Sequence, residues 1–217
     1  MEKENKLESL DNVGNANILF LDISSTCTGY SVAECDFVNR KATITKAGAL
    51  WFKKDMKGGD KYNYLARCIT EYFYIMGLCD FLVHEAYAIN MNQRSGIMVT
   101  PEMIGAVKAA CSDLGVDYMH ISPQTWRMHL GVKPTITINK DGKKKREYKQ
   151  PTIDIIDTMT NIPNEIFSNV TKKLRSTPND LYDAIGVSYG WLHEIKLFNS
   201  IKISKNMDIN THVSFEV

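Results

Sequence analysis

The segment Asn17–Ile23 (NILFLDI) constrains this chain more than any other. It is a near-continuous apolar run, the pattern of a central strand covered on both faces. Asp22 interrupts it near its end. A carboxylate in that position is costly to bury unless it is paired or holds a cation. The chain therefore has to supply two covering layers and a partner for one acid.

The rest of the sequence supplies the layers. Thr28–Glu34 (TGYSVAE) reads as a second strand after a short turn, and Lys41–Leu50 as a third. Short strands with tight connections predict an antiparallel meander. Residues 61–76 place Leu65, Ile69, Tyr72, Phe73 and Met76 at helical spacing, with Gly77 as the stop. Asp80–Ala86 reads as a fourth strand, followed by a polar loop, Ile89–Ser95. Thr100, Pro101 and Glu102 read as a cap, a first-turn proline and a helix start. That helix runs to about Leu114 and stops at Gly115, and Val116–Ile121 is a fifth strand. Pro123–Leu130 is a short helix, and another runs from about Pro151 to Thr160. The last helix starts at Thr177-Pro178 and runs to about Phe198, while 200–217 show no strong pattern. With right-handed crossovers, this order predicts an α/β fold. Its five-stranded mixed sheet has three antiparallel strands, then two parallel ones, flanked by helices. The 217 residues suit one such domain. The division is a flexible N-terminus (1–15), a domain (16–199) with a basic insertion (133–149), and a C-terminal tail (200–217).

Composition narrows the chemistry. No apolar run approaches the ~20 residues of a membrane helix, and Met1–Asn15 lacks the apolar core of a signal peptide. A cytoplasmic protein without a membrane partner is the expectation. The five cysteines are odd in number and form no CxxC pair, so they read as reduced core thiols. The histidines lack HxxxH or HExxH spacing, which disfavours a histidine metal site. No small-molecule cofactor is expected.

The acids carry the chemistry. Glu85 ends a strand after Phe81, Leu82 and Val83 and raises the same problem as Asp22. Asp180 and Asp183 lie one turn apart on a helix face that Val187 and Trp191 continue inward. Each acid alone has a bland reading. Asp22 could cap the Ser24-Ser25 turn, Glu85 could sit at a rim, Asp180 suits a helix first turn, and Asp183 is unremarkable. Together they would meet at one end of the sheet and need compensating charge. Hard oxygen donors favour Mg²⁺ or Mn²⁺ over zinc. Two such ions ~4 Å apart activate a water and steady the leaving oxygen in phosphodiester hydrolysis.

Leu21–Val32 (LDISSTCTGYSV) resembles the first-strand motif of the RuvC-type Holliday junction resolvases, nucleases of the RNase H-like superfamily. His84–Tyr87 (HEAY) resembles their fourth-strand glutamate segment, and Asn179–Trp191 (NDLYDAIGVSYGW) their terminal DxxDA helix. Order and approximate intervals agree over about Asn17–Leu197. The resemblance implies an RNase H-like fold with Asp22, Glu85, Asp180 and Asp183 as the catalytic, metal-binding acids. It implies two Mg²⁺ or Mn²⁺ ions per site and a crossover junction endodeoxyribonuclease that nicks paired strands of branched DNA. It also implies a homodimer matched to the two-fold junction. The chain departs from the bacterial pattern in having Ile23-Ser24 where Pro-Gly is usual. The aromatic expected after the glutamate is best matched by Tyr87, and the insertion Lys133–Lys149 is longer than usual. These differences suggest a divergent phage or viral branch, acting in a host cytoplasm.

A net charge of +1 does not by itself mark a nucleic-acid binder. The charge is uneven, however. Lys133, Lys140, Lys143, Lys144, Lys145, Arg146 and Lys149 face only Asp141 and Glu147, a net +5 in one segment. An isolated charge run reads as a solvated loop. Beside clustered acids it reads as a mobile loop that closes over a DNA arm through phosphate contacts. Arg94 and Arg127 are further DNA-binding candidates, and Lys145 and Lys149 could reach the scissile phosphate. His84 should face away from Glu85 and be structural; Trp126 and Trp191 read as core. Other readings are an RNase H-like nuclease for hybrid RNA, flaps or less selective branch cutting, and a non-catalytic DNA-binding protein. A fragment of an actin-like ATPase is a further one, because Asp22–Thr26 with Thr28-Gly29 is similar to its first phosphate loop.

Overall fold

The computed structural model describes residues 14–53, 55–87, 99–138, 141–160 and 179–210. β1 (Asn15–Ile23), β2 (Cys27–Asp36) and β3 (Lys41–Trp51) form the predicted meander. α1 (Gly58–Arg67) continues as a π-helical turn over Cys68–Tyr74 and stops at Gly77, whose φ is +64°. Glycine adopts this left-handed backbone without a Cβ clash. β4 (Phe81–Glu85) pairs parallel to β1. α2 (Val99–Leu114) then leads to β5 (Asp117–Ile121), parallel to β4. The predicted polar loop Ile89–Ser95 lies outside the described residues.

α3 (Pro123–Leu130) opens with Ser122, whose Oγ accepts a hydrogen bond from the Thr125 amide at 3.1 Å. The basic stretch after it, expected to be a loop, holds regular structure. β6 (Thr135–Ile138) and β7 (Lys144–Glu147) form a two-stranded antiparallel ribbon, and α4 (Lys149–Met159) follows directly. Alternating Thr-Ile-Thr-Ile favours the strand, and Gly142 turns in the left-handed region. α5 (Asn179–Glu194) ends short of the predicted Phe198, soon before Lys196 takes a left-handed φ of +57°. Its predicted cap, Thr177-Pro178, lies outside the described residues.

The sheet has six strands, not five: β8 (Ser200–Asn210) adds to its edge, parallel to β3, in the order β5-β4-β1-β2-β3-β8. Ile201, Ile203, Met207 and Ile209 pack on the core. The register with β3 slips between Ile44 and Lys46, while in β8 itself Lys205 interrupts the apolar alternation. The Lys46 Nζ lies 3.1 Å from Asp208 Oδ2 and ties the edge strand down.

Two cores cover the sheet. Leu19, Leu21, Tyr30, Val32 and Leu82 face α1 and α2. Ile18, Phe20, Phe81 and Val83 face the layer holding Trp126 of α3, Ile156 of α4, and Leu181, Ile185 and Trp191 of α5. All five cysteines are buried and free, as their spacing predicts.

Candidate functional site

Strand alternation alone puts two acids on one face. Ile18 and Phe20 lead to Asp22 on β1, and Phe81 and Val83 lead to Glu85 on β4. Both carboxylates therefore emerge on the α5 side, at neighbouring strand ends. α5 brings the other two. Gly29 is the register partner of Asp22 across β1 and β2. A Cβ on Gly29 would lie 1.8 Å from the Asp180 carbonyl oxygen, so a glycine here lets the first turn of α5 rest on β2. One turn further, the Ser31 hydroxyl donates to the Ala184 carbonyl at 2.9 Å. Asp180 and Asp183 thus stand over the end of β1.

The four half-buried acids act on one another. Burial foremost lifts the Asp22 carboxyl well above its usual range, and the charges of Glu85, Asp183 and Asp180 lift it further. Arg127 opposes them. Burial, then Glu85, pushes Asp183 up to about 7, against Arg127 and Lys149. Asp180 is raised by burial, while the Cys27 thiol, Lys149 and the Ser24 hydroxyl pull it down; Ser24 Oγ lies 3.4 Å from its Oδ2. Glu85 is raised by burial and lowered by Trp126 and Arg127. Buried like charges with few cations to offset them favour the protonated carboxyls.

The donor set fits a hard divalent ion. Every ligand candidate is a carboxylate oxygen, suited to Mg²⁺ or Mn²⁺. A bound cation would relieve the repulsion that raises these pKa values. Among the described residues no group of three or more His, Cys, Asp or Glu side chains is drawn together closely enough to hold a metal ion. The acids face one another, and an ion would have to draw their oxygens together.

Trp126 belongs to the core, as expected, but it also serves the site. Its indole N–H donates to Glu85 Oε2 at 2.6 Å. α5 makes room for it. A Cβ on Gly186 would lie 2.6 Å from the Trp126 ring, and one on Gly190 2.5 Å from the Trp126 Cα. Glycines four apart on one helix form a notch, and that spacing is the sequence signal for this contact. Next along α3, the Arg127 guanidinium lies 4.7 Å from the Trp126 ring and 4.9 Å from that of Tyr148. These rings hold its charge beside the acids.

The remaining predicted residues divide. Lys133, Lys143, Lys144, Lys145, Arg146 and Lys149 are exposed. Lys145 pairs with Glu147 at 3.6 Å, and Lys149 is near enough to lower Asp180 and Asp183. Tyr87 is half-buried against the core on the α1 and α2 side. Arg94 and Lys140 lie outside the described residues. His84 is buried on the face opposite Glu85, and its Nδ1–H donates to the Glu85 carbonyl at 2.8 Å.

No family model matches the sequence, and no curated protein matches it. Solved structures do match. A Thermus thermophilus RuvC in complex with a Holliday junction substrate superposes with a TM-score of 0.54 at 12% identity, over 84% of this chain and 97% of the other. A fowlpox virus resolvase with Holliday junction DNA gives 0.53 at 14%, over 83% and 99%. The yeast mitochondrial Holliday junction resolvase Ydc2 gives 0.54 at 11%, over 90% and 87%. The chain has the RNase H-like fold of these resolvases.

Proposed function

We propose that this protein is a divalent-metal-dependent, structure-selective endonuclease that cuts four-way DNA junctions and related branches. One observation carries the reading: Asp22, Glu85, Asp180 and Asp183, from β1, β4 and α5, gather on one side of the sheet, where Glu85, Asp183 and Asp180 raise the Asp22 carboxyl and Glu85 and Asp180 raise that of Asp183. The fold shared with three junction resolvases supports the substrate class.

Two Mg²⁺ or Mn²⁺ ions held by the four carboxylates would supply an activated water and a neutralised leaving oxygen for phosphodiester hydrolysis. This chain's own groups do the rest. The Trp126 indole fixes one Glu85 oxygen and leaves the other free to act. Arg127 and Lys149 set positive charge against the acids, which lets a polyanion approach an acidic site. The exposed lysines of the ribbon give sequence-independent phosphate contacts. A homodimer would present two such sites to a two-fold junction and nick paired strands.

The test is incubation of purified protein with a labelled four-way junction, beside flap, hybrid and linear duplexes, with and without Mg²⁺ or Mn²⁺. Metal-dependent nicking of the junction is the expected result. Asp22→Asn should reduce it at least ~10³-fold, because it removes a ligand shared by the site, and leave junction binding in place. Near-normal cutting by Asp22→Asn would reject the site. Preference for a hybrid or flap would move the substrate assignment while keeping the chemistry.

A further inference from the structure

We infer that one face of the β6–β7 ribbon docks in a groove of a DNA arm, with Ile136 and Ile138 in apolar contact and Lys144 and Arg146 on the flanking phosphates. The inference rests on the nuclease reading for its ligand and adds residues to it.

The ribbon's pairing defines its two faces. Ile136 lies opposite Arg146, and Ile138 opposite Lys144. Directly opposed residues share a face, so two isoleucines and two cations stand together. Thr135, Thr137, Lys145 and Glu147 form the other face. That second face is largely self-satisfied: Lys145 pairs with Glu147, and the Thr137 hydroxyl donates to the Lys145 carbonyl at 3.4 Å. The first face holds no acid. Ile136 is 53% exposed and Ile138 72%. Two β-branched apolar side chains left in water on a lone ribbon contribute nothing to the core, and a two-stranded ribbon is marginal without a partner.

The chemistry of that face selects the partner. Cations beside an apolar stripe match a polyanion with an apolar interior, which is a nucleic-acid groove. A β-ribbon fits the ~12 Å width of the major groove. Isoleucines two apart on a strand are ~6.8 Å apart, close to two base steps of ~3.4 Å. The segment's net charge of +5 adds long-range attraction. Both roots of the ribbon are tied beside the acids. β6 follows α3, whose Arg127 stacks on Tyr148 just past β7, and Lys149 acts on Asp180 and Asp183. DNA held in the site would run along this ribbon.

The two halves of the face have different salt signatures. Phosphate contacts release counterions and steepen the salt dependence; apolar contacts do not. Junction binding by the full chain, measured by fluorescence anisotropy in EDTA across a salt series, separates them. Ile136→Ser with Ile138→Ser should weaken binding about tenfold with the salt slope unchanged. The paired leucine variants should bind within about twofold of wild type. Lys144→Gln with Arg146→Gln should weaken binding and lower the slope of log K against log salt by about 2. Serine variants that bind like wild type overturn the proposal. So does a serine pair whose only effect is to turn a dimer into monomers in sedimentation, since the face would then be a subunit contact. Failure of the wild type to bind any branched or duplex DNA would reject the nuclease reading as well, and is distinct from loss in the ribbon variants alone.

Discussion

The two faces of the sheet are built from the same strands yet differ by a single step of alternation. Leu21 and His84 are register partners on the face under α1 and α2. Asp22 and Glu85, one residue on, lie on the face under α5. The first face is covered by large apolar side chains and buried thiols such as Cys68, Cys79 and Cys111. The second is also covered by large apolar side chains, Trp126, Ile185 and Trp191 among them, but it has glycines at its close approaches: Gly29 under Asp180, and Gly186 and Gly190 of α5 against Trp126 of α3. At Gly29 the missing Cβ lets the α5 backbone come close enough to β2 to bring Asp180 over the end of β1 beside Asp22.

The largest expected effect on stability comes from closing that approach. In Gly29→Ala the new methyl meets the α5 backbone, which cannot rotate aside as a side chain could. Overpacking of this kind costs about 3 kcal/mol, and it would move Asp180 away from Asp22. Denaturant unfolding should show that loss, and junction cutting should fall at least ~10²-fold with the displaced ligands. A variant with wild-type stability and cutting would mean that α5 does not need to rest on β2.

Trp126→Phe is a finer probe of the same face. It keeps the ring in the notch between Gly186 and Gly190 but removes the donor to Glu85. Losing a hydrogen bond to a charged group costs about 1.5–3 kcal/mol, so cutting should fall about tenfold or more while junction binding stays unchanged. That bond holds the Glu85 carboxyl down. Without it, the rising limb of the pH–rate profile should move to higher pH. An unmoved limb would leave Trp126 as packing alone.

What could be read from the sequence follows from this contrast. Asp22 and Glu85 stood out because an acid breaks the pattern of an apolar strand, and Asp180 with Asp183 because a spacing of three shares a helix face. Three distant segments of the sequence therefore point to one site. Trp126 did not stand out as a site residue, because a buried tryptophan looks the same whether or not its N–H holds a carboxylate 41 residues away. The ribbon is hidden because its lysines outweigh the Thr-Ile alternation, and β8 because Lys205 interrupts the run of Ile201, Ile203, Met207 and Ile209.

The faces should also respond oppositely to pH in metal-free protein. Burial foremost, with Glu85, pushes Asp183 up to about 7, whereas an unfolded carboxyl titrates near ~4. The folded state keeps this proton longer, so the stabilisation is full below ~4 and is lost as pH rises toward ~7. Burial pushes His84 down to about 4, against ~6.5 unfolded. Its stabilisation is full above ~6.5 and is lost as pH falls toward ~4. Unfolding free energies in EDTA should expose each slope when the other is removed. Asp183→Asn should make stability rise more steeply with pH in this window, and His84→Gln should make it fall, each by at most ~1.4 kcal/mol per pH unit. Parallel changes in the two variants would break the distinction.

The smallest effect should lie under the other cover, and it tests whether glycines matter for where they sit. Gly105 lies within α2 on an exposed position, and a Cβ there would meet nothing within 4 Å. A glycine in a helix interior loses more backbone entropy on folding than alanine does. With no close approach to protect, Gly105→Ala should therefore stabilise the protein by about 0.5–1 kcal/mol and leave cutting unchanged. The same chemical change at Gly29 would have the opposite sign. If Gly105→Ala instead lost stability, α2 would depend on a constraint at that position, and close backbone approach would no longer distinguish the acid-bearing face.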